Sequence, residues 1–460
     1  MNNELRPYDG YKKTDLLWLD SIPEHWEMTR NKNVMMLSKD TVGKNHSNYV
    51  LLSLTKKGII ARDMENAKGK FPKEFDTYQI VNPGDIVFCL FDIDETPRTV
   101  GLSSKNGMIT GAYTVFKIEN INPKYLYYYY LSIDNNKKLK PLYTGLRKVI
   151  NTDTFLRTKM PNPPQDEQDK IVKFLDFQLS KINKFIKAKK KLIAALKEQK
   201  QAVINEAVTK GINPNAKMKT SGIEWLGDIP QHWEIKRAKY YLMQIDKKSN
   251  DGKEQLLTVS HITGVTPRSE KNVNMFMAES TEGYKICEKD MIAINTMWAW
   301  MGAIGVSRYN GIISPSYHTY KQKHKDNYDN DYLDNLLRVN GYIDEYRIRS
   351  TGIRSSRLRL YPDKFLEIFI VRPPLSEQKD IGKYIHKKSE SINRSIYSIE
   401  QEIELITEYR TSLISDVVTG KVDVRHIEID DIIEEDTEID ETEDKIIESE
   451  EDINIGESGE

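Results

Sequence analysis

The stretch Trp18-Leu19-Asp20-Ser21-Ile22-Pro23-Glu24-His25-Trp26-Glu27 returns as Trp225-Leu226-Gly227-Asp228-Ile229-Pro230-Gln231-His232-Trp233-Glu234. A recurrence at a fixed offset constrains the fold more than composition does, because such a chain must build the same unit twice. Set against each other at an offset of 207, residues 16–32 and 223–239 agree at nine of seventeen positions. Four of the six tryptophans lie in the two copies, which marks the motif as a packing device at the start of each half.

The repeat continues beyond the motif. Strand-like runs at Tyr49–Leu54 and Asp85–Phe91 are answered by Gln255–Ser260 and Asp290–Ile294, and Gly101–Lys117 by Gly305–Lys321. A short aromatic helix is expected in each half, over Lys124–Ser132 and Asp331–Val339, followed by Thr144-Gly145-Leu146-Arg147 and Thr351-Gly352-Ile353-Arg354. Each half then reaches a double proline, Pro163-Pro164-Gln165-Asp166-Glu167-Gln168 or Pro373-Pro374-Leu375-Ser376-Glu377-Gln378, and becomes helical. Proline suits a helix start because its missing N–H is not needed there, and the acids that follow complement the dipole.

No proline interrupts Gln165–Thr209 or Leu375–Thr419. One seam reads Ile171, Leu175, Ile182, Phe185, Leu192, Leu196, Val203; the other reads Ile381, Ile385, Ile392, Ile399, Ile406, Tyr409, Leu413. Apolar residues sustained over more than four heptads argue for a coiled coil, with Gln178, Lys189, Gln199, Lys388 and Glu402 as polar interruptions that fix register or face another protein. The expected fold class is α+β: two tandem α/β domains separated by two long antiparallel coiled-coil helices, with an internal pseudo-two-fold. The expected segments are a first domain over 1–162, a helix over 163–210, a second domain over 211–372, a helix over 373–420 and an extension over 421–460.

Charge is unevenly spread. Residues 426–460 hold 17 acids and one base, so a chain of net charge −1 carries +15 over residues 1–425. The acidic run is of a kind that stays disordered, either as a solubilising extension or as a mimic of DNA charge. The basic body is compatible with a polyanionic partner. No run reaches the roughly 18 apolar residues of a membrane span and no secretory signal is evident, so a cytoplasmic protein is expected. Cys89 and Cys287 are isolated and read as core residues.

Each candidate for catalysis fails on its own chemistry. Asn162-Pro163-Pro164-Gln165 lacks the aromatic that stacks on a flipped base in amino-methyltransferases, and its repeat is Arg372-Pro373-Pro374-Leu375. Pro362-Asp363 with Glu367 resembles a Mg²⁺ nuclease core but has Phe369 where a lysine is needed. Asp92, Asp94 and Glu95 face Asn295, Met297 and Trp298 in the repeat, and His318 and His324 are a weak metal pair. His25 and His232 are expected to be hydrogen-bonded core histidines. There is no phosphate loop. The chain is therefore expected to have no catalytic residues and no metal or cofactor of its own.

Two basic domains on a stiff spacer suit duplex DNA, which carries recognition elements at fixed distances. Loop residues that differ between the halves are the candidates for contact: Lys56, Lys57, Arg62, Lys68, Lys70, Arg98, Lys105 and Arg147 in the first domain, and His261, Arg268, Lys271, Arg308, Arg354 and Arg357 in the second. Trp298 and Trp300 either wedge at a base step or pack. A two-headed adaptor that binds proteins across a rod fits the same pattern, and salt-sensitive, sequence-selective duplex binding separates the two readings.

Three features together carry a family resemblance: the doubled Trp-Leu-x-x-Ile-Pro-x-His-Trp motif, Pro-Pro followed by Glu-Gln at each long helix, and the ending Val418-Thr419-Gly420-Lys421-Val422-Asp423-Val424-Arg425. The chain resembles the specificity subunit of Type I restriction-modification systems. The resemblance implies two target recognition domains, each reading one half of a bipartite asymmetric sequence, with the helices setting the spacer. It implies two modification subunits as partners, with a restriction subunit joining them. S-adenosylmethionine, ATP and Mg²⁺ are expected on those partners.

Overall fold

The computed structural model describes residues 5–62, 75–144, 148–270, 280–353 and 358–429. The chain divides into two compact units, Met1–Lys189 with Gln401–Glu441, and Lys190–Glu400 with Thr442–Glu460. The division cuts both long helices near their middles, so each unit holds one domain, the start of one helix and the end of the other.

Each unit is built on a four-stranded antiparallel sheet. In the first the order is Met35–Leu37, Thr114–Ile118, Ile86–Phe88, Val100–Leu102; in the second it is Leu242–Ile245, His318–Gln322, Ile292–Ile294, Ile304–Val306. The correspondence extends to the smaller ladders. Gln79–Val81 pairs with Gly107–Ile109 as Lys285–Cys287 does with Gly311–Ile313. Glu27–Arg30 pairs with Lys159–Asn162 as Glu234–Arg237 does with Phe369–Arg372. A hairpin, Leu52–Thr55 with Gly58–Ala61, answers Leu257–Ser260 with Gly264–Pro267. All these ladders are antiparallel, so each domain is α+β rather than a βαβ repeat.

The aromatic helix runs Pro123–Asn135 in the first unit, where the Asn122 side chain caps it by accepting from the Lys124 and Tyr125 N–H groups. In the second unit Asp329 caps Asn330–Leu337, and a further helix, Asn340–Arg349, follows. Tyrosines of these helices, with Tyr328 just ahead of Asn330–Leu337, fill the cores. Tyr125, Tyr129 and Tyr130 pack with Trp26, Phe88, Phe116 and Phe155 in one core, and Tyr328, Tyr332, Tyr342 and Tyr346 with Trp233, Tyr320 and Phe365 in the other.

The sequence motifs are one another's contacts. Glu167, three residues past its double proline, accepts from Trp26 Nε1 at 3.0 Å and Tyr8 Oη at 2.5 Å, and pairs with His25 Nε2 at 2.8 Å. Glu377 likewise pairs with His232 at 2.7 Å. The neighbouring glutamine ties the aromatic helix to the long one. Gln168 accepts from the Asn122 N–H and donates to the Pro163 carbonyl; Gln378 accepts from the Asp329 N–H and donates to the Pro373 carbonyl. One expectation is corrected here: the His25 and His232 side chains are 40% and 52% exposed, so these are half-exposed partners of a carboxylate and not core histidines.

The long helices span Gln165–Lys210 and Leu375–Val418. Within the first unit they run antiparallel, with Lys189 paired to Glu402 at 2.6 Å and Arg410 Nη1 3.4 Å from Asn183. Within the second, Lys200 donates to Asn393 at 3.0 Å. The expected seam needs a correction. Phe185, Leu192 and, on the second helix, Tyr409 point to solvent at 42%, 44% and 48% exposure, while the half-buried Ile186 and Ile193 face inward on the first. The Phe185 and Leu192 sites carry two consecutive apolar residues, so the heptad is ambiguous by one there, and a 3.6-residue turn drifts away from a strict 3.5 repeat. Of the polar seam positions, Lys189 and Glu402 answer each other and fix register.

Each long helix ends on a glycine beyond its last turn, Gly211 at φ +79° and Gly420 at φ +77°, the left-handed cap that non-glycine residues resist. A side chain on Gly420 would collide with Pro23 and Trp26, and one on Gly211 would press on Trp233 and Glu377. In each unit the Trp motif is thus clasped between the start of one long helix and the end of the other. Beyond Gly420 the chain closes on the first unit, where Asp423 bridges to Arg6 and Arg425 lies over the Tyr8 ring at 4.9 Å.

Candidate nucleic-acid interface

Six of the proposed contact residues, Lys68, Lys70, Arg147, Lys271, Arg354 and Arg357, lie outside the described residues. Described residues on either side of two of these stretches form like bridges, Thr144 with Val149 and Thr351 with Arg359.

The others, Arg98 apart, fall at or next to corresponding places in the two units. Lys56 and Lys57 form the tip of the first hairpin, and His261 begins the tip of the second. Lys56 is exposed and Lys57 half-exposed. Arg62 and Arg268 follow the second strand of each hairpin, where their N–H groups donate to the carbonyls of Leu51 at 2.8 Å and Leu256 at 2.9 Å. Those two arginines are structural equivalents, and the offset of 206 that sets Tyr49–Leu54 against Gln255–Ser260 also sets Arg62 against Arg268. Lys105 and Arg308 lie one position apart in equivalent turns of the two units. Ser103 Oγ accepts from the Lys105 N–H at 3.2 Å, as Ser307 Oγ does from the Tyr309 N–H, and Arg308 is the residue between.

Arg98 and Arg308 each pair with a carboxylate. Arg98 donates to Asp134 at 3.1 Å and to Asn135 at 2.9 Å, with its side chain 18% exposed. Asp134 also accepts from the Thr99 N–H and hydroxyl and from Lys137, so this guanidinium helps seat the aromatic helix on the sheet. Arg308 pairs with Asp331 at 2.8 Å, but that pair is well exposed, and the arginine can exchange this partner for a phosphate at little cost. Trp298 and Trp300 stack on each other at 5.9 Å and are half-buried, with the Trp300 indole donating to the Met297 carbonyl.

Several of the groups weighed for chemistry are engaged by neighbours in the fold. Asp94 and Glu95 are bound by Lys148, at 3.1 and 2.6 Å. A hydrogen bond from Lys239 holds the Glu367 carboxyl below its usual range. Burial pushes the Cys287 thiol up to about 11 and raises Cys89 as well, which keeps both as inert thiols. His318 lies 3.3 Å from Lys285, which is also paired with Asp246; burial and the lysine lower its pKa. Among the described residues no group of three or more His, Cys, Asp or Glu is placed to hold a metal ion, and no helix is long and apolar enough to cross a membrane.

The residues that sequence reading missed are those that fix the loops. Arg338 grips the tip of the second hairpin, and Glu167 and Gln168 join the domain to its helix. The Glu-Gln pair was visible as a motif, but its partners were not. Arg338 had no signal, since its partners are backbone carbonyls.

Comparison with known proteins follows the same lines. Residues 23–197 match a family model described as the Type I restriction modification DNA specificity domain. Among solved structures, the chain shares its fold with one from work on complex assembly and conformational transition of the type I R-M system: TM-score 0.61, 13% identity, covering 87% of this chain and 99% of that one. The HsdS subunit from Thermoanaerobacter tengcongensis matches more loosely, at a TM-score of 0.47 and 14% identity over 87% of this chain and 98% of its own.

Proposed function

We infer that the chain, whose residues 23–197 match the Type I restriction modification DNA specificity domain and whose second half repeats the same sheet order, is the sequence-specific DNA-binding subunit of such a system. The observation that carries this reading is the pair of matched hairpins with unlike tips, Lys56-Lys57 in one domain and His261-Ile262-Thr263 in the other, each followed by an equivalent arginine. A common scaffold with divergent, polar loops is what two readers of different half-sites require. Lysine and arginine supply sequence-independent affinity for phosphates, and side chains at the tips supply base discrimination.

In this reading the chain itself catalyses nothing. Two modification subunits and a restriction subunit assemble on it and bring S-adenosylmethionine, ATP and Mg²⁺. Apolar side chains left exposed on the long helices support such docking: Phe185, Leu405 and Tyr409 in the first unit, Leu192, Tyr384 and Tyr397 in the second. The length of the helices sets the unspecified spacer between the half-sites.

The test is duplex binding by the complex assembled with its modification subunits, measured across a salt series. Affinity that falls steeply with salt and favours one bipartite sequence is expected. Binding indifferent to salt and sequence, with protein partners captured instead, selects the adaptor reading.

A further inference from the structure

The two hairpins are seated alike but held differently. A Cβ on Gly107 would stand 2.5 Å from the Val50 carbonyl oxygen, and one on Gly311 would strike the Gln255 carbonyl, so in both units glycine admits the hairpin's backbone. The first tip is a short turn secured by its own threonine, whose Oγ1 donates to the Gly58 carbonyl at 3.1 Å and accepts from the Lys57 N–H at 3.1 Å. The second tip is a residue longer. Ser260 Oγ accepts from the Ile262 N–H at 3.1 Å. Arg338, at the end of Asn330–Leu337, donates through Nη2 to the carbonyls of His261 at 3.0 Å and Ile262 at 2.6 Å.

Asp334 anchors that arginine to the sheet. One carboxylate oxygen lies 3.8 Å from Arg338 Nη1, and the other accepts from the Val306 N–H at 2.8 Å. In the first unit the position 207 residues earlier is Leu131, which is buried, so the clamp belongs to the second domain. Two consecutive carbonyls bound to one guanidinium fix the turn's peptide planes. They leave Ile262 outermost, at 56% exposure.

We propose that Arg338 is a positioning residue for DNA specificity: by gripping the His261-Ile262 backbone it presets the 261–263 tip as a base-reading element of the second domain. The proposal rests on the DNA-specificity reading above. Arg338 acts through the turn. Ile262 supplies an apolar contact of the kind a thymine methyl accepts, beside the imidazole of His261. A preset tip does not have to be ordered on binding, and that saving is realised only at the sequence it fits.

The experiment uses the full chain assembled with its modification subunits, as wild type, Arg338→Ala, Ile262→Ala and the double variant. Each is titrated with duplexes altered one base pair at a time across both half-sites, with melting followed in parallel. Arg338→Ala should reduce discrimination at one or two positions of a single half-site by roughly ten-fold. The other half-site and the salt-dependent affinity for unrelated duplex should stay as in wild type. In the Ile262→Ala background the same change should add little, since both act on one contact. A purely structural role would instead lower the melting temperature and weaken all duplexes alike, and that outcome overturns the proposal. So does a folded Arg338→Ala complex with wild-type discrimination. If Arg338→Ala fails to fold, the exposed Ile262→Ala decides, and unchanged discrimination in that variant sinks the idea. A wild-type complex with no sequence preference would strike the DNA-specificity reading itself.

Discussion

At Glu167 three donors from the N-terminal segment and the Trp motif converge on one buried carboxylate, whereas among the described residues Glu377 in the repeat receives only His232 and the Trp233 indole nitrogen has no hydrogen-bond partner. Removing the acid should therefore cost the two halves unequally. Glu167→Ala strands buried donors and should destabilise the first unit by about 2–4 kcal/mol, and Glu377→Ala the second by about 1 kcal/mol or less, as read by denaturant titration of tryptophan fluorescence. His318 gives a pH dependence with a defined sign. Burial, reinforced by Lys285, lowers its pKa; Asp246, the facing acid, pulls the other way. Below the ordinary histidine value of about 6.5 the unfolded chain binds a proton that the folded one refuses. Stability of the second unit should be full above that pH and fall as pH drops toward the lowered folded value. His318→Gln should flatten this slope.

At the scale of elements, the helix ends and the helix lengths carry separate predictions. Gly420→Ala places a side chain in a left-handed cap against Pro23 and Trp26 and should cost the first unit at least about 1–2 kcal/mol. Inserting seven residues into one long helix should break the register set by Lys189 and Glu402. Inserting seven into both should widen the recognised spacer by about three base pairs, since seven residues rise roughly 10 Å. Much of this level was legible in the sequence. The four strand-like runs fall on Leu52–Thr55, Ile86–Phe88, Leu257–Ser260 and Ile292–Ile294, and the long helices start at the residues after the double prolines. The seam was misread by one residue at Phe185 and Leu192, because adjacent apolar residues leave the periodicity undetermined until the partner helix is in place. The offset of 206 that aligns Tyr49–Leu54 with Gln255–Ser260 also aligns Arg62 with Arg268, but the backbone hydrogen bonds to Leu51 and Leu256 that hold both in place impose no side-chain pattern and could not be read from it.

At the scale of the whole molecule, function depends on where charge sits. Residues 1–425 carry +15 and the C-terminal stretch −16, and Ile427 and Ile429 still pack against the first unit's core. Truncation after Ile429 should thus spare the fold, and it should leave duplex affinity and its salt dependence unchanged; tighter binding on truncation would show that the tail competes with DNA. The central claim is that two like scaffolds read two unlike half-sites independently. The most direct measurement is the methylated motif mapped across a host genome after residues 235–372 are exchanged for the corresponding segment of a relative. One half of the motif should change, while the other half and the spacer persist. A motif altered in both halves, or in neither, would contradict the account.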